Sequence, residues 1–362
     1  MNARRGQARR TVRALAPLAL GLLSVLGACA SPFARPGGAR VVSTYDELSA
    51  ALTERYAAAR RAFDSGDFAG ARIALADVLP AAPDHIGLGI LAQEVELASG
   101  DADARDALAE RTLAVLEAAP TPARCVLAAR LAREPAAARA LLARALELDP
   151  RCAWARYGLA HLAARAGDWT EADAELERAL ELDAFLPPAR RLEAMLLARD
   201  GRRREAIGAF ESWLEDVVDD PRVALREFVE AELDLATLYV LDQDPDAARE
   251  LLTRLTLEGE LAVRALCVLA AAEQGAERPN EALHATRAAE ELAPDVALPW
   301  VQEAILRQSW LDDPEGAEAA WRRLLASSQT GGDLGRVLLA MRARLALERA
   351  ERRRERAKGA AP

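Results

Sequence analysis

The sequence predicts an all-α solenoid, and three observations carry that expectation. Four columns of small and apolar residues recur every 34 residues: Ala138, Ala172 and Ala206; Leu142, Leu176 and Phe210; Ala145, Ala179 and Trp213; Leu146, Leu180 and Leu214. A helical unit of that length cannot bury its apolar face alone, so stacked neighbours must supply the core. Composition agrees, since 51% of the 362 residues are hydrophobic and only 4% aromatic, and the strong helix formers Ala, Leu, Glu and Arg dominate. Punctuation supplies the third observation. Pro150, Pro187, Pro188, Pro221, Pro294 and Pro299 fall where one unit hands over to the next, where a missing N–H costs least.

Taken in chain order, residues 1–28 read as an export signal. Arg4, Arg5, Arg9, Arg10 and Arg13 precede an apolar run from Leu15 to Leu26 that is too short to span a bilayer comfortably. The run ends in Leu26-Gly27-Ala28-Cys29, which resembles a bacterial lipobox. That resemblance implies cleavage before Cys29 and lipid on its new N-terminus. With Ala30 rather than an aspartate next, it favours an outer membrane, on the periplasmic face. A diacylglyceryl group plus an N-acyl chain would exceed the two signals that stable anchoring needs. Residues 29–43, with Pro32, Pro36, Gly37 and Gly38, read as a flexible tether.

The array is expected over residues 44–331. Thr44 and Glu47 have capping-box spacing for a first helix running toward Ser65, where Gly66 can end it. Sliding the 34-residue frame places units at 52–85, 119–152, 153–186, 187–220, 229–262, 263–297 and 298–331. Residues 86–118 break register and read as a degenerate unit. The longer handover at Asp219-Asp220-Pro221 predicts a first helix from Arg222 to Leu241. Gly66-Asp67-Phe68 matches Gly167-Asp168-Trp169 at the start of a second helix, and Leu235, Ala236, Tyr239, Ala248, Leu252 and Leu255 fit the same columns. Period and columns together resemble the tetratricopeptide repeat. The resemblance implies helix-turn-helix units wound in a right-handed superhelix whose first helices line a concave, partner-binding groove. Residues 332–362 read as a capping helix and Arg-rich tail, with Val337, Leu338, Met341 and Leu345 in one apolar stripe.

Charge and motifs narrow the function. Removing the five arginines of residues 1–28 leaves 42 basic against 57 acidic residues, a formal charge of −15, which argues against nucleic-acid binding. His85, His161 and His284 lie in different units and predict no metal site. Cys125 and Cys152 share a unit, but the frame places one within a helix and the other at its far handover, so no disulfide is expected. No P-loop, dinucleotide turn or nucleophile elbow occurs, so neither an enzyme nor a cofactor is expected.

Binding remains as the expected activity. Tyr157, His161 and Arg165 fall four residues apart on one helical face, with Arg191, Met195 and Arg199 on the next first helix and Arg124 and Arg130 on the preceding one. This basic and aromatic strip predicts protein or peptide partners with acidic segments, because Arg forks engage carboxylates in a bidentate manner. The competing expectation is that these arginines pair with acids on neighbouring helices. At the level of function, the expectation is a lipid-anchored scaffold of the cell envelope. The alternative is a passive envelope lipoprotein without a groove ligand.

Overall fold

A computed structural model describes residues 45–100, 104–255, 257–327, 341 and 343–352. Cys29, the tether, Val337 and Leu338 lie outside the described residues. Among those described, the helices run as consecutive antiparallel pairs: α1 (Ala50–Asp64) with α2 (Phe68–Val78), α3 (Ile86–Ser99) with α4 (Ala104–Ala118), α5 (Pro122–Leu131) with α6 (Pro135–Leu148), and α7 (Ala153–Ala166) with α8 (Trp169–Leu182). Then follow α9 (Pro187–Arg199) with α10 (Arg203–Val217), α11 (Leu225–Leu241) with α12 (Pro245–Thr253), α13 (Gly259–Gly275) with α14 (Pro279–Leu292), and α15 (Ala297–Ser309) with α16 (Pro314–Ser327). The chain divides into two compact units, with the boundary after Ala231 inside α11.

The recurrent columns make the core. The first three, from Ala138 through Trp213, are buried at every position, and the Leu146, Leu180 and Leu214 column is half-buried beside them. Alanine in two of the columns lets helices approach closely, so the core is continuous from Ile86 to Leu196 but thin. Trp213 replaces an alanine in its column, and its indole N–H donates to the Pro187 carbonyl at 2.7 Å, which satisfies the polar handle of a fully buried ring.

The turns after α1 and α7 share one device. After α7, Gly167 adopts φ +79°, its N–H reaches the Ala164 carbonyl and the Asp168 N–H reaches Ala163, closing the helix as a Schellman motif. Asp168 then caps α8, its carboxylate accepting from the Glu171 N–H. Gly66 with Asp67 does the same between α1 and α2. That is the physical content of the Gly-Asp match between the two segments.

Three expectations need correction. The first helix begins at Ala50, capped by Ser49, and not at a Thr44–Glu47 box, because Tyr45 and Asp46 are drawn into tertiary contacts. Helix α11 starts at Leu225, three residues later than expected, since Arg222 is held by Asp220 ahead of the helix. Near the C-terminus, Met341 and Leu345 are exposed. The face of 343–352 that meets the last pair is Ala343, Ala346 and Leu347, packed against Val301, Ala304, Trp321 and Leu324. Cys125, Cys152 and Cys267 are free and buried, and burial pushes the Cys152 thiol up to about 12.

Candidate partner-binding surface

In the first unit a ladder of polar side chains joins the first helices α1, α3 and α5, and a second set joins α9 to α11. Arg60 of α1 donates to Glu94 of α3 at 2.8 Å. Gln93 beside it donates to the Leu127 carbonyl of α5 at 3.0 Å, and Arg130 of α5 returns two bonds, to Gln93 at 3.1 Å and Glu94 at 3.0 Å. Arg191 of α9 lies 3.4 Å from both Glu227 and Glu230 of α11. Tyr157 of α7 sits between these clusters. Its phenol is raised above its ordinary pKa, first by burial and then by Glu227, with Arg191 and Arg130 acting in the opposite direction.

The ladder also closes on itself. Arg60, nearly fully buried, donates through Nε to the Pro221 carbonyl at 3.0 Å, and the Leu225 N–H donates to Asp64 at 3.2 Å. One residue pair completes the closure from the chain's other side. The Tyr45 hydroxyl donates to Asp149 at 2.5 Å, and Asp46 accepts from the Trp154 indole at 2.8 Å and from Arg222 at 3.4 Å. Thus the first pair meets the segment ahead of α11, four pairs further along. Gly87 sits at this seam, where an added Cβ would lie 2.8 Å from the Tyr56 hydroxyl and 3.2 Å from Arg222.

The expected binding residues fall into three groups. Tyr157 and His161 stack in tilted fashion at 6.0 Å, with Trp154 edge-on to Tyr157 at 6.3 Å, so α7 carries an aromatic row. His161 is exposed at its own surface but lies in a recess, and burial, then the Arg165 charge, lowers its pKa. Arg165 is exposed in the last turn of α7. Arg130 and Arg191 belong to the ladder and already hold carboxylates. Arg124 and Arg199 point elsewhere: Arg124 donates to the Ala119 carbonyl at 2.6 Å, and Arg199 lies 4.3 Å above the exposed Trp169 ring while bonding Asp200 at 2.5 Å.

Several members of the ladder escaped the sequence reading. Arg60 and Glu94 are separated by one 34-residue period, so opposite charges one period apart on first helices were the available signal. Asp46 and Arg222 are 176 residues apart and carry no such signal.

The second unit has no counterpart to this closure among the described residues. It buries carboxylates instead. Burial pushes Glu232 up to about 7 with only Arg254 opposing, and Glu290 is raised by burial and by the adjacent Glu303. Glu303 accepts from Arg307 at 2.7 Å and Arg287 at 3.4 Å, while its Oε2 has no hydrogen-bond partner. Among the described residues, no three His, Cys, Asp or Glu side chains gather as metal ligands, and no helix is long and apolar enough to cross a membrane.

Comparison with known proteins adds a family likeness over part of the chain. The tetratricopeptide repeat family model matches residues 129–196, the stretch that holds α6, α7, α8 and most of α9. That stretch is similar to the tetratricopeptide repeat. Among solved structures, the chain resembles the Cut9–Hcn1 assembly of APC/C, with TM-score 0.56 at 17% identity over 76% of this chain; it spans about half (52%) of the chain it matches there. It also resembles Pseudomonas aeruginosa PilF (TM-score 0.44, 18% identity, 63% of this chain and 93% of that one). A further match is PilW, described as a type IV pilus biogenesis factor (TM-score 0.46, 16% identity, 66% and 100%). At these identities the likeness concerns the fold, which is an all-α solenoid of helical repeats. A search of curated proteins finds no match.

Proposed function

We propose that the chain is a non-catalytic scaffold that binds protein or peptide partners along the first helices of its array, held at a bacterial envelope membrane by lipid on Cys29. In this reading residues 1–28 are the lipoprotein signal, 29–43 the tether, 44–331 the tetratricopeptide array with 86–118 as its divergent unit, and 332–362 the cap and tail. The observation that carries the binding half is the stacked pair Tyr157 and His161, which leads one turn on to the exposed Arg165, on a helix within the family match. Aromatic faces and a guanidinium one turn apart suit an extended peptide with an acidic residue. The anchoring half rests on Leu26-Gly27-Ala28-Cys29.

Pull-down from envelope extract with wild type and a His161→Ala/Arg165→Ala variant tests the first half. Loss of partners and of their salt sensitivity is expected; identical recovery by both proteins sinks it. Detergent-phase partition of Cys29→Ser tests the second, and unchanged membrane retention would remove the lipid anchor from the reading.

A further inference from the structure

Residues 45–48 precede α1 outside any helix, and Tyr45 and Asp46 occupy a seat built from the starts of three other helices. The Ile86 N–H at the start of α3 donates to the Tyr45 carbonyl at 3.1 Å. Asp149, just ahead of α7, accepts the Tyr45 hydroxyl. Trp154 in the first turn of α7 and Arg222 ahead of α11 both address the Asp46 carboxylate. Each feature of the dipeptide is therefore read: an aromatic hydroxyl, the main-chain carbonyl that follows it, and an acid in the next position.

The occupant fits this seat imperfectly. The Asp46 side chain is 1% exposed, yet its Oδ1 finds no hydrogen-bond partner. Burial raises the carboxyl to about 6 against the pull of Arg222 and Trp154, while Asp183 and Asp220 add like charge. Tyr45 is only half-buried. A buried carboxylate with an unmet oxygen is held less firmly than its number of contacts implies.

We propose that this seat is a recognition site for a short segment bearing an aromatic hydroxyl followed by a carboxylate, filled in cis by Tyr45–Asp46 and open to the same chemistry on a partner protein. The proposal rests on the reading of the array as a peptide binder. It is independent of compartment and of the Arg165 surface, so an intact pull-down with a failed peptide titration would remove the seat and leave the scaffold.

The test uses the full chain and a labelled, capped tetrapeptide copying residues 45–48, beside a version carrying Asn in place of Asp. In the Tyr45→Ala/Asp46→Ala variant the seat is empty, and the apparent Kd of the acidic peptide should be at least about tenfold lower than in wild type, because cis occupancy multiplies apparent affinity by the open fraction. The Asn peptide should lose most of that gain. Equal affinity for wild type and a variant with wild-type circular dichroism overturns the proposal. If the variant loses its fold, hydrogen exchange of the wild type decides: saturating acidic peptide must speed exchange of residues 45–48 and the Asn peptide must not, and no change with either overturns it.

Discussion

The two compact units use the same helix pairs but differ in what ties them together. In the first, Asp46, Arg60 and Asp64 reach across 161 to 176 residues to the segment ahead of α11. In the second, the polar ties join residues no more than about one repeat apart, as in Asp234–Arg264, Asp246–Arg278 and Gln302 with the Cys267 carbonyl, 35 residues away. The hairpin turns differ in parallel. Gly66, Gly167 and Gly201 take the left-handed position in the first unit, whereas Gln243, Glu277 and Asp312 take it in the second. A repeat array thus need not be uniformly open and additive. One part of this chain behaves as a closed body and the other as a nearest-neighbour stack.

The sharpest way to break the comparison is to remove one arginine from each unit. Arg222→Ala leaves Asp46 and Asp220 buried without their cation and should cost about 3–5 kcal/mol, while Arg264→Ala, at a half-open pair, should cost under about 1 kcal/mol. Urea unfolding of both variants decides; equal losses would mean the closure contributes nothing beyond an ordinary surface pair. Next in size is Gly87→Ala, which forces a methyl against Tyr56 and Arg222 and should cost about 1–3 kcal/mol. A neutral result there would show that the seam has slack.

Acid should separate the units further. Glu232 and Glu290 have folded pKa values raised above their unfolded ones, so their favourable contribution is complete below about 4.5 and is lost as pH rises through about 7 for Glu232 and about 8 for Glu290. In the first unit Asp46, raised to about 6, follows the same sign, but His85, lowered to about 4, has the opposite one. His85 stays neutral while it caps α3, so its contribution is present above about 6.5 and lost as pH falls through about 4, which offsets Asp46 between those values. The second unit should therefore gain stability from pH 8 to pH 5 while the first changes little. Glu232→Gln should raise stability at pH 8 by about 1–3 kcal/mol and do little at pH 5. Unit-resolved hydrogen exchange, corrected for intrinsic rates, measures both, and a pH-independent effect of Glu232→Gln would reject the assignment.

The smallest effects concern the turns. A non-glycine residue in the left-handed region costs about 1–2 kcal/mol, partly offset by the entropy a glycine loses on folding. Gln243→Gly and Glu277→Gly should each stabilise by about 0.5 kcal/mol, and Gly167→Ala, with open space around its missing Cβ, should destabilise by about 1 kcal/mol. Thermal melts of the three variants test the sign, and destabilisation by either glycine would mean that the native side chain holds a contact worth more than its backbone strain.

Much of the fold was legible because a repeat writes its packing at a fixed interval. Ala172, Leu176 and Ala179 announce a buried face, and Gly167-Asp168 announces the turn before it. The site was less legible. Tyr157 and His161 share a face as four-residue spacing requires, but that spacing cannot say that Arg130 and Arg191 already hold Glu94, Glu227 and Glu230. Nor can it place Arg199, whose partner Trp169 belongs to the neighbouring pair. The closure lay beyond reading altogether, since Asp46 lies ahead of the first 34-residue unit at 52–85 and Arg222 in an irregular handover. Met341 and Leu345 erred for another reason: on a thin alanine-lined surface, Ala343 packs more closely than a larger side chain two residues away.

Because Asp46 meets Arg222 and Arg60 meets Pro221, the first unit gauges its own length. Ordinary arrays of this kind can gain or lose a module by duplication or deletion and still fold. Here one module more or fewer between residues 86 and 220 would carry Arg222 away from Asp46 and leave both charges stranded. A cut after Asp220 would do the same by removing Pro221, Arg222 and Leu225 together, so the shortest self-sufficient fragment has to extend into α11. Selection acting on this protein is therefore expected to accept substitutions between Ile86 and Asp220 far more readily than changes in the number of modules.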